Sequence, residues 1–144
     1  MRALGVDLGS KRIGIAVSDR SGTIASPLVV LQRSGSLARD HHQIAKLAAE
    51  EEAECLVIGL PMNMDGSLGP AAKAAMKEAE ALSTVVGVPI HFSDERRSTV
   101  TADRVMIERG MDAKARRKVV DKVAAAVLLQ HWLDGRAAQG GVPS

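Results

Sequence analysis

Cys55, Leu56, Val57, Ile58, Gly59 and Leu60 form a run without a polar break, between Glu54 and Pro61. A run of this length reads as a strand, and apolar residues at successive positions leave neither of its faces for water. Such a strand needs cover on both sides. That demand points to a sheet with helices on its faces, and the strand–helix–strand steps on either side of the run favour parallel pairing. The flanking sequence supplies the cover. Residues 36–54 read as a helix with Leu37, Ile44, Leu47 and Ala48 on one face, and AAKAAMKEAEALSTVV reads as a second helix.

Upstream lie three short runs, ALGVDLGS, RIGIAVSD and GTIASPLVVLQR. The first two read as a hairpin. The third contains Pro27, which suits an edge strand or a bulge. Downstream, VPIHFSDER reads as a fifth strand and STVTADRVMIERG as a helix stopped by Gly110. Asp112 is placed to cap a last helix that runs to Gly135. The order β-β-β-α-β-α-β, followed by two helices, predicts an α/β fold. Its mixed five-stranded sheet combines an antiparallel meander with parallel strands and has helices on both faces. Right-handed crossovers leave the first strand central, between the second and the fourth. One domain over 1–135 and a frayed tail over 136–144 follow from the length and from the Ala, Gly and Pro content of the end.

With no Tyr, and with Phe92 and Trp132 as the sole Phe and Trp, the core must be built from Val, Leu, Ile, Ala and Met. Cys55, the single cysteine, cannot form an internal disulfide and reads as a packed thiol in a reducing compartment. There is no secretory leader and no apolar stretch long enough to span a membrane, so the expectation is a soluble cytoplasmic protein with no membrane partner. His41 and His42 fall on a polar helical stretch and read as exposed, and no His/Cys group has zinc spacing. Neither a P-loop nor a G-x-S-x-G elbow is present.

Asp7 interrupts the first apolar run, between Val6 and Leu8. A carboxylate in a central strand must have a partner, because burying it alone is costly. Asp94 and Glu95 end the fifth strand, at the carboxyl edge where ligands of open α/β sheets collect. Asp121 lies near the start of the last helix, and the small Ala124 and Ala125 that follow permit close approach to the sheet. That helix is expected to bury Val123, Val127, Leu128 and Leu133. Acids held together repel, and a divalent cation such as Mg²⁺, which takes oxygen ligands, resolves the conflict. Each acid also has a simpler reading: Asp7 bonded within its own turn or to Lys11, Asp94 as a helix cap, Glu95 paired with a neighbouring Arg, Asp121 paired with Lys118 or Lys122.

The net charge of +2 hides a gradient, since residues 91–122 hold nine Lys/Arg against six Asp/Glu. Lys11 and Arg12 adjoin Asp7, Arg96 and Arg97 follow Glu95, and Lys114, Arg116, Arg117 and Lys118 precede Asp121. Cations bordering acids in this way suit a phosphate backbone bound without sequence readout. The near absence of aromatics argues against base stacking as the main mode of recognition.

Four segments, GVDLGSKRIGIAVSD, VIGLPMNMDGS, SDERRST and VDKVAAAVLL, resemble in that order the motifs of the YqgF/RuvX family. The resemblance covers nearly the whole chain and implies an RNase H-like fold similar to that of RuvC. The family is described both as a Holliday junction resolvase and as a nuclease that processes the 5′ end of pre-16S rRNA. The resemblance makes Asp7, Glu95 and Asp121 the metal-binding and catalytic acids and implies Mg²⁺ or Mn²⁺ and phosphodiester hydrolysis. It also gives Asn63, Asp65 and Gly66, in the loop after the fourth strand, a role in positioning nucleic acid.

The implied partners are structured nucleic acid, either pre-16S rRNA, with precursor ribosomal particles, or branched DNA. Paired cuts in a junction would call for a homodimer, whereas rRNA processing is open to a monomer. A different class also fits part of the pattern. DLGSKRIGIA resembles the phosphate-holding hairpin of actin-like ATPases and sugar kinases, which would make the chain a nucleotide-binding module. Those proteins carry a second domain of similar kind, which 144 residues do not accommodate. A non-catalytic RNA-binding module is the remaining alternative.

Overall fold

The computed structural model describes residues 1–94 and the helical backbone 113–138, with side chains over 1–94 and 123–136. In chain order the elements are β1 (Ala3–Leu8), β2 (Arg12–Ser18), β3 (Ala25–Gln32), α1 (Leu37–Glu50), β4 (Cys55–Leu60), α2 (Pro70–Ser83), β5 (Ile90–Asp94) and α3 (Ala113–Ala138). The expected helix over residues 98–110 and the cap at Asp112 lie outside the described residues.

The five strands form one sheet in the order β3-β2-β1-β4-β5. β1 pairs antiparallel with β2 and parallel with β4, β2 pairs antiparallel with β3, and β4 pairs parallel with β5. The mixed sheet and the central place of β1 are therefore as the element order predicts. β3 is an edge strand, and its register shifts where Ala16 and Pro27 face each other, so Pro27 sits where its missing N–H is tolerated. All of Cys55–Gly59 is buried, as a strand covered on both sides requires.

Side-chain alternation divides the core in two. Leu4 and Val6 of β1 point to one face, where Ile13, Ile15, Ile44, Leu56, Ile58, Ala79 and Leu82 pack beneath α1 and α2. Ala3 points to the other face, where Ala16, Cys55, Val57, Ala125, Leu128, Leu129 and Leu133 pack beneath α3. Each fully buried Leu or Ile contributes about 1.5–3 kcal/mol relative to an exposed one.

α1 starts at Ser36, whose hydroxyl accepts from the Arg39 N–H at 3.3 Å, while the buried Asp40 carboxylate accepts from the Ser34 N–H at 3.0 Å. α2 opens on Pro70, whose absent N–H costs nothing in a first turn.

Several expectations are corrected. Leu37 is 56% exposed although it shares the helical row of His41, Ile44 and Ala48, because it opens the first turn of α1 and lies at the end of that buried row. On α3 the fully packed residues are Ala124, Ala125, Ala126, Leu128, Leu129 and Leu133, while Val123 and Val127 are half-buried at the flank. Gly135 does not end that helix, which continues to Ala138, with the Arg136 guanidinium 4.9 Å from the Trp132 ring centre. Among the described methionines only Met1 packs against a core, on the α3 side, and it is partly buried; Met64 and Met76 are exposed. Cys55 is the packed thiol expected of it, and burial pushes its pKa up.

Candidate active site

Period-two alternation puts Ala3, Gly5 and Asp7 on the α3 face of β1. The first two lie under the helix. Asp7 lies at the carboxyl end of the strand and is half-buried. The chain then turns sharply: the Gly9 N–H donates to the Asp7 carbonyl at 3.1 Å, and a Cβ on Gly9 would stand 2.5 Å from the Arg12 carbonyl oxygen. Only glycine closes this turn. Lys11 is exposed on it and Arg12 is half-buried where β2 begins, so both cations rise from the same end of the sheet as Asp7.

α3 crosses this face antiparallel to β1. Its carboxyl end meets the start of the sheet, where Arg136 donates to Met1 Sδ at 3.7 Å and the Trp132 ring lies 5.2 Å from that of His91. Its middle rests on Gly5, where a Cβ would stand 2.8 Å from Leu129 Cβ and 3.0 Å from the Ala125 carbonyl oxygen. The Ser93 hydroxyl donates to the Leu128 carbonyl at 3.2 Å and fixes β5 to the helix. Asp121 lies one turn before Ala125 in the same row of the helix, on the part of the backbone that runs toward the Asp7 end of β1. Arg116, Arg117 and Lys118 precede it on the same helix. The side chains of these four residues lie outside the described residues, as do Glu95, Arg96 and Arg97.

Asp94 pairs in register with Leu60, on the face opposite to Ser93 and hence opposite to Asp7. β5 joins the sheet beyond β4, about 9–10 Å from β1. Among the described residues no group of three His, Cys, Asp or Glu side chains is gathered as a metal site. In the loop after β4, Asn63 Nδ2 donates to Ser67 Oγ at 2.9 Å, and the Asp65 carboxylate accepts from the Ser67 N–H at 2.9 Å. Gly66 adopts a positive φ of 89°, which suits glycine. Asn63 thus braces its own loop, and the side chain presented at its tip is Met64, 73% exposed.

A cluster that sequence reasoning missed lies on the other face. Arg33 donates through Nη1 and Nη2 to the two carboxylate oxygens of Glu78, both at 2.9 Å, and His41 Nε2 lies 2.9 Å from Glu78 Oε2. His41 is only 4% exposed, which corrects its reading as a solvent-facing residue. The signal was available in the helical row 41, 44 and 48, which shares one buried face.

Burial pushes the Glu78 carboxyl up, but hydrogen bonds from Arg33 and His41 outweigh it and hold the group below its usual range. The hydrogen bond to Glu78 in turn raises Arg33. A lowered native carboxylate pKa means stability that is complete above the usual carboxylate range and is lost as pH falls through the native value. The melting temperature is expected to fall on acidification below that range, and to fall less in Glu78→Gln. Thermal melts of both proteins between neutral and acid pH check this, and equal slopes would refute it.

Residues 1–135 match the family model described as "RuvX: Holliday junction resolvase". The chain belongs to the RuvX family. Among its relatives, a Myxococcus xanthus protein is 46% identical over 134 residues, covering 93% of this chain and 88% of its own. A Moorella thermoacetica protein is 46% identical over 142 residues, covering 99% of this chain and 100% of its own. Both carry the name "Putative pre-16S rRNA nuclease". Thermus thermophilus RuvC, solved with a Holliday junction substrate, superposes with a TM-score of 0.59 at 18% identity, covering 95% of this RuvX-family chain and 96% of RuvC. A second structure of Thermus thermophilus RuvC gives 0.56 at 16% identity, covering 96% of this chain and 97% of its own. These structures share the fold expected from the motifs, RNase H-like with a mixed sheet. No helix among the described residues is long and apolar enough to cross a membrane.

Proposed function

We propose that this RuvX-family chain is a divalent-cation-dependent nuclease that matures the 5′ end of pre-16S rRNA, with residues 1–135 as its single catalytic domain. In this reading Asp7, Glu95 and Asp121 are the catalytic and cation-holding acids. Lys11, Arg12, Arg96, Arg97, Arg116, Arg117 and Lys118 hold the phosphate backbone, and Asn63 shapes the loop that borders it. The observation that carries the reading is that Asp7, at the carboxyl end of the central strand, shares its sheet face with the helix that bears Asp121.

The donor set fits a hard cation. Carboxylate oxygens suit Mg²⁺ or Mn²⁺, and a zinc centre would ask for His or Cys in place of them. Bound among these acids, the cation would neutralise their repulsion and polarise the scissile phosphate. The chain's own residues do the rest. Asp7 and Asp121 belong to two separate elements, Glu95 follows a third in the sequence, and the flanking cations orient the backbone by charge, without reading bases. Asp94, on the opposite face, leaves Glu95 as the acid of that pair to test.

The names of the relatives favour precursor 16S rRNA, whether free or in precursor ribosomal particles, and such a substrate implies cytoplasmic work by a monomer or a homodimer. The description of the family model favours a second reading, in which a homodimer cuts branched DNA in pairs. Cleavage of a 5′-extended 16S precursor, run beside a four-way DNA junction with Mn²⁺ and with EDTA, separates the two. The expected result is Mn²⁺-dependent cutting of the RNA at its 5′ extension, with EDTA removing all activity. Paired cuts in the junction alone would favour the second reading. Salt-sensitive RNA binding with no cleavage of either substrate would leave a binding module.

A further inference from the structure

We propose that Arg33 is a positioning residue for the Asp7 site, held in place by Glu78 and His41. The inference rests on the nuclease reading above. Arg33 follows the last residue of β3 and reaches under the β1–β2 turn. Its backbone N–H donates to the Lys11 carbonyl at 3.0 Å, and its Nε–H donates to the Gly9 carbonyl at 2.7 Å. One residue therefore fixes both ends of the segment that leaves Asp7 and presents Lys11.

The remaining guanidinium donors reach Glu78 of α2 as a two-pronged pair, and Glu78 in turn meets His41 of α1. The turn, both helices of that face and the end of β3 are thus tied at one point. The side chains are 16% exposed for Arg33, 14% for Glu78 and 5% for His41. Well-packed apolar residues are often as stabilising as a buried ion pair, so stability is a weak reason to keep charges here. Geometry is a better one. Arg33 offers a planar fork whose directions are set by Glu78, and its third donor is thereby aimed at the Gly9 carbonyl. A carboxylate that holds a cation must stay within about 0.5 Å of its working position. Only Leu8 separates Gly9 from Asp7, so a loosened turn is transmitted directly to the acid and to the neighbouring cations.

Removing one partner would leave the other buried and uncompensated and could unfold the chain. The decisive variant is therefore the double substitution Arg33→Met with Glu78→Met, which removes the ion pair, keeps comparable volume and leaves His41 Nε2 as the one atom of the cluster that loses its partner. It is compared with the parent and with Arg33→Lys, which keeps charge but loses the fork. Three quantities are read: backbone hydrogen exchange over residues 8–13, affinity for the 5′-extended 16S precursor, and single-turnover cleavage at saturating RNA with Mn²⁺.

The double variant is expected to remain folded and to bind RNA within a few-fold of the parent. Its turn amides should exchange at least tenfold faster, and its cleavage should be slower by about 10²-fold, the usual cost of a misplacement near 1 Å. Arg33→Lys should restore neither protection nor rate. Parental protection of the turn in the folded double variant, or parental cleavage, would overturn the proposal. If the parent cuts no nucleic acid under any condition, the nuclease reading fails, and the exchange data still decide whether Arg33 holds the turn.

Discussion

Asp7→Asn is expected to slow single-turnover cleavage of the 5′-extended 16S precursor by about 10³-fold or more, while the melting temperature stays the same or rises. The substitution keeps the shape of the side chain and removes its charge. A bound cation supplies several kcal/mol of charge stabilisation in the transition state, and each 1.36 kcal/mol is worth tenfold in rate. The fold should not suffer. Asp7 is half-buried at the end of β1, and its neighbours Leu4 and Val6 carry the core on the opposite face.

A second readout separates cation binding from every other role of Asp7. A cation at one hundred times its dissociation constant stabilises the native state by about 2.7 kcal/mol. The parent should therefore melt higher as Mn²⁺ or Mg²⁺ is added, and Asp7→Asn should not respond. Cleavage by the variant at the parental rate would remove Asp7 from the site. A parental response to Mn²⁺ in a variant that no longer cuts would leave Asp7 catalytic but not a cation ligand.

The fold was legible wherever one local rule decides one local outcome. The unbroken Cys55–Leu60 run could only be a doubly covered strand, and Pro27 could only sit at an edge or a bulge. Together with the element order they placed β1 at the centre, with Asp7 at its carboxyl end. What stayed hidden depends on partners distant in sequence. Arg33, His41 and Glu78 are each ordinary polar residues locally, and only the packing of α1 and α2 on one face brings them together across 37 to 45 positions. His41 looked wet because its neighbours were polar, although it shares a helical row with Ile44 and Ala48. Leu37 misled for the mirror reason, since a place in the apolar row does not say whether the first turn of a helix is covered. Asn63 was read through the resemblance alone, and its bond to Ser67 is a loop contact that no spacing announces.

Gly5→Ala is the substitution expected to couple stability and activity most strongly. The Ala side chain would have to enter a gap in which its Cβ stands 2.8 Å from Leu129 Cβ and 3.0 Å from the Ala125 carbonyl oxygen. The second atom is helix backbone and cannot rotate away, so α3 must lift from β1. Overpacking of this kind costs about 1–3 kcal/mol, which lowers the melting temperature of a chain this size by about 3–12 °C.

The same lift displaces the backbone that carries Asp121, one turn from Ala125, relative to Asp7. If those two acids share a cation, cleavage should fall by about 10²-fold even well below the melting temperature. Leu82→Ala is the matching control, because it opens a cavity beneath α2 on the opposite face, costs about 2–5 kcal/mol and leaves the contact of α3 with β1 alone. Cleavage measured 20 °C or so below each variant's midpoint distinguishes a local effect from general loosening. Loss of rate in Gly5→Ala with retention in Leu82→Ala is the expected pattern. Equal rates in the two would mean that the distance between α3 and β1 does not set activity, and would take Asp121 out of the proposed site.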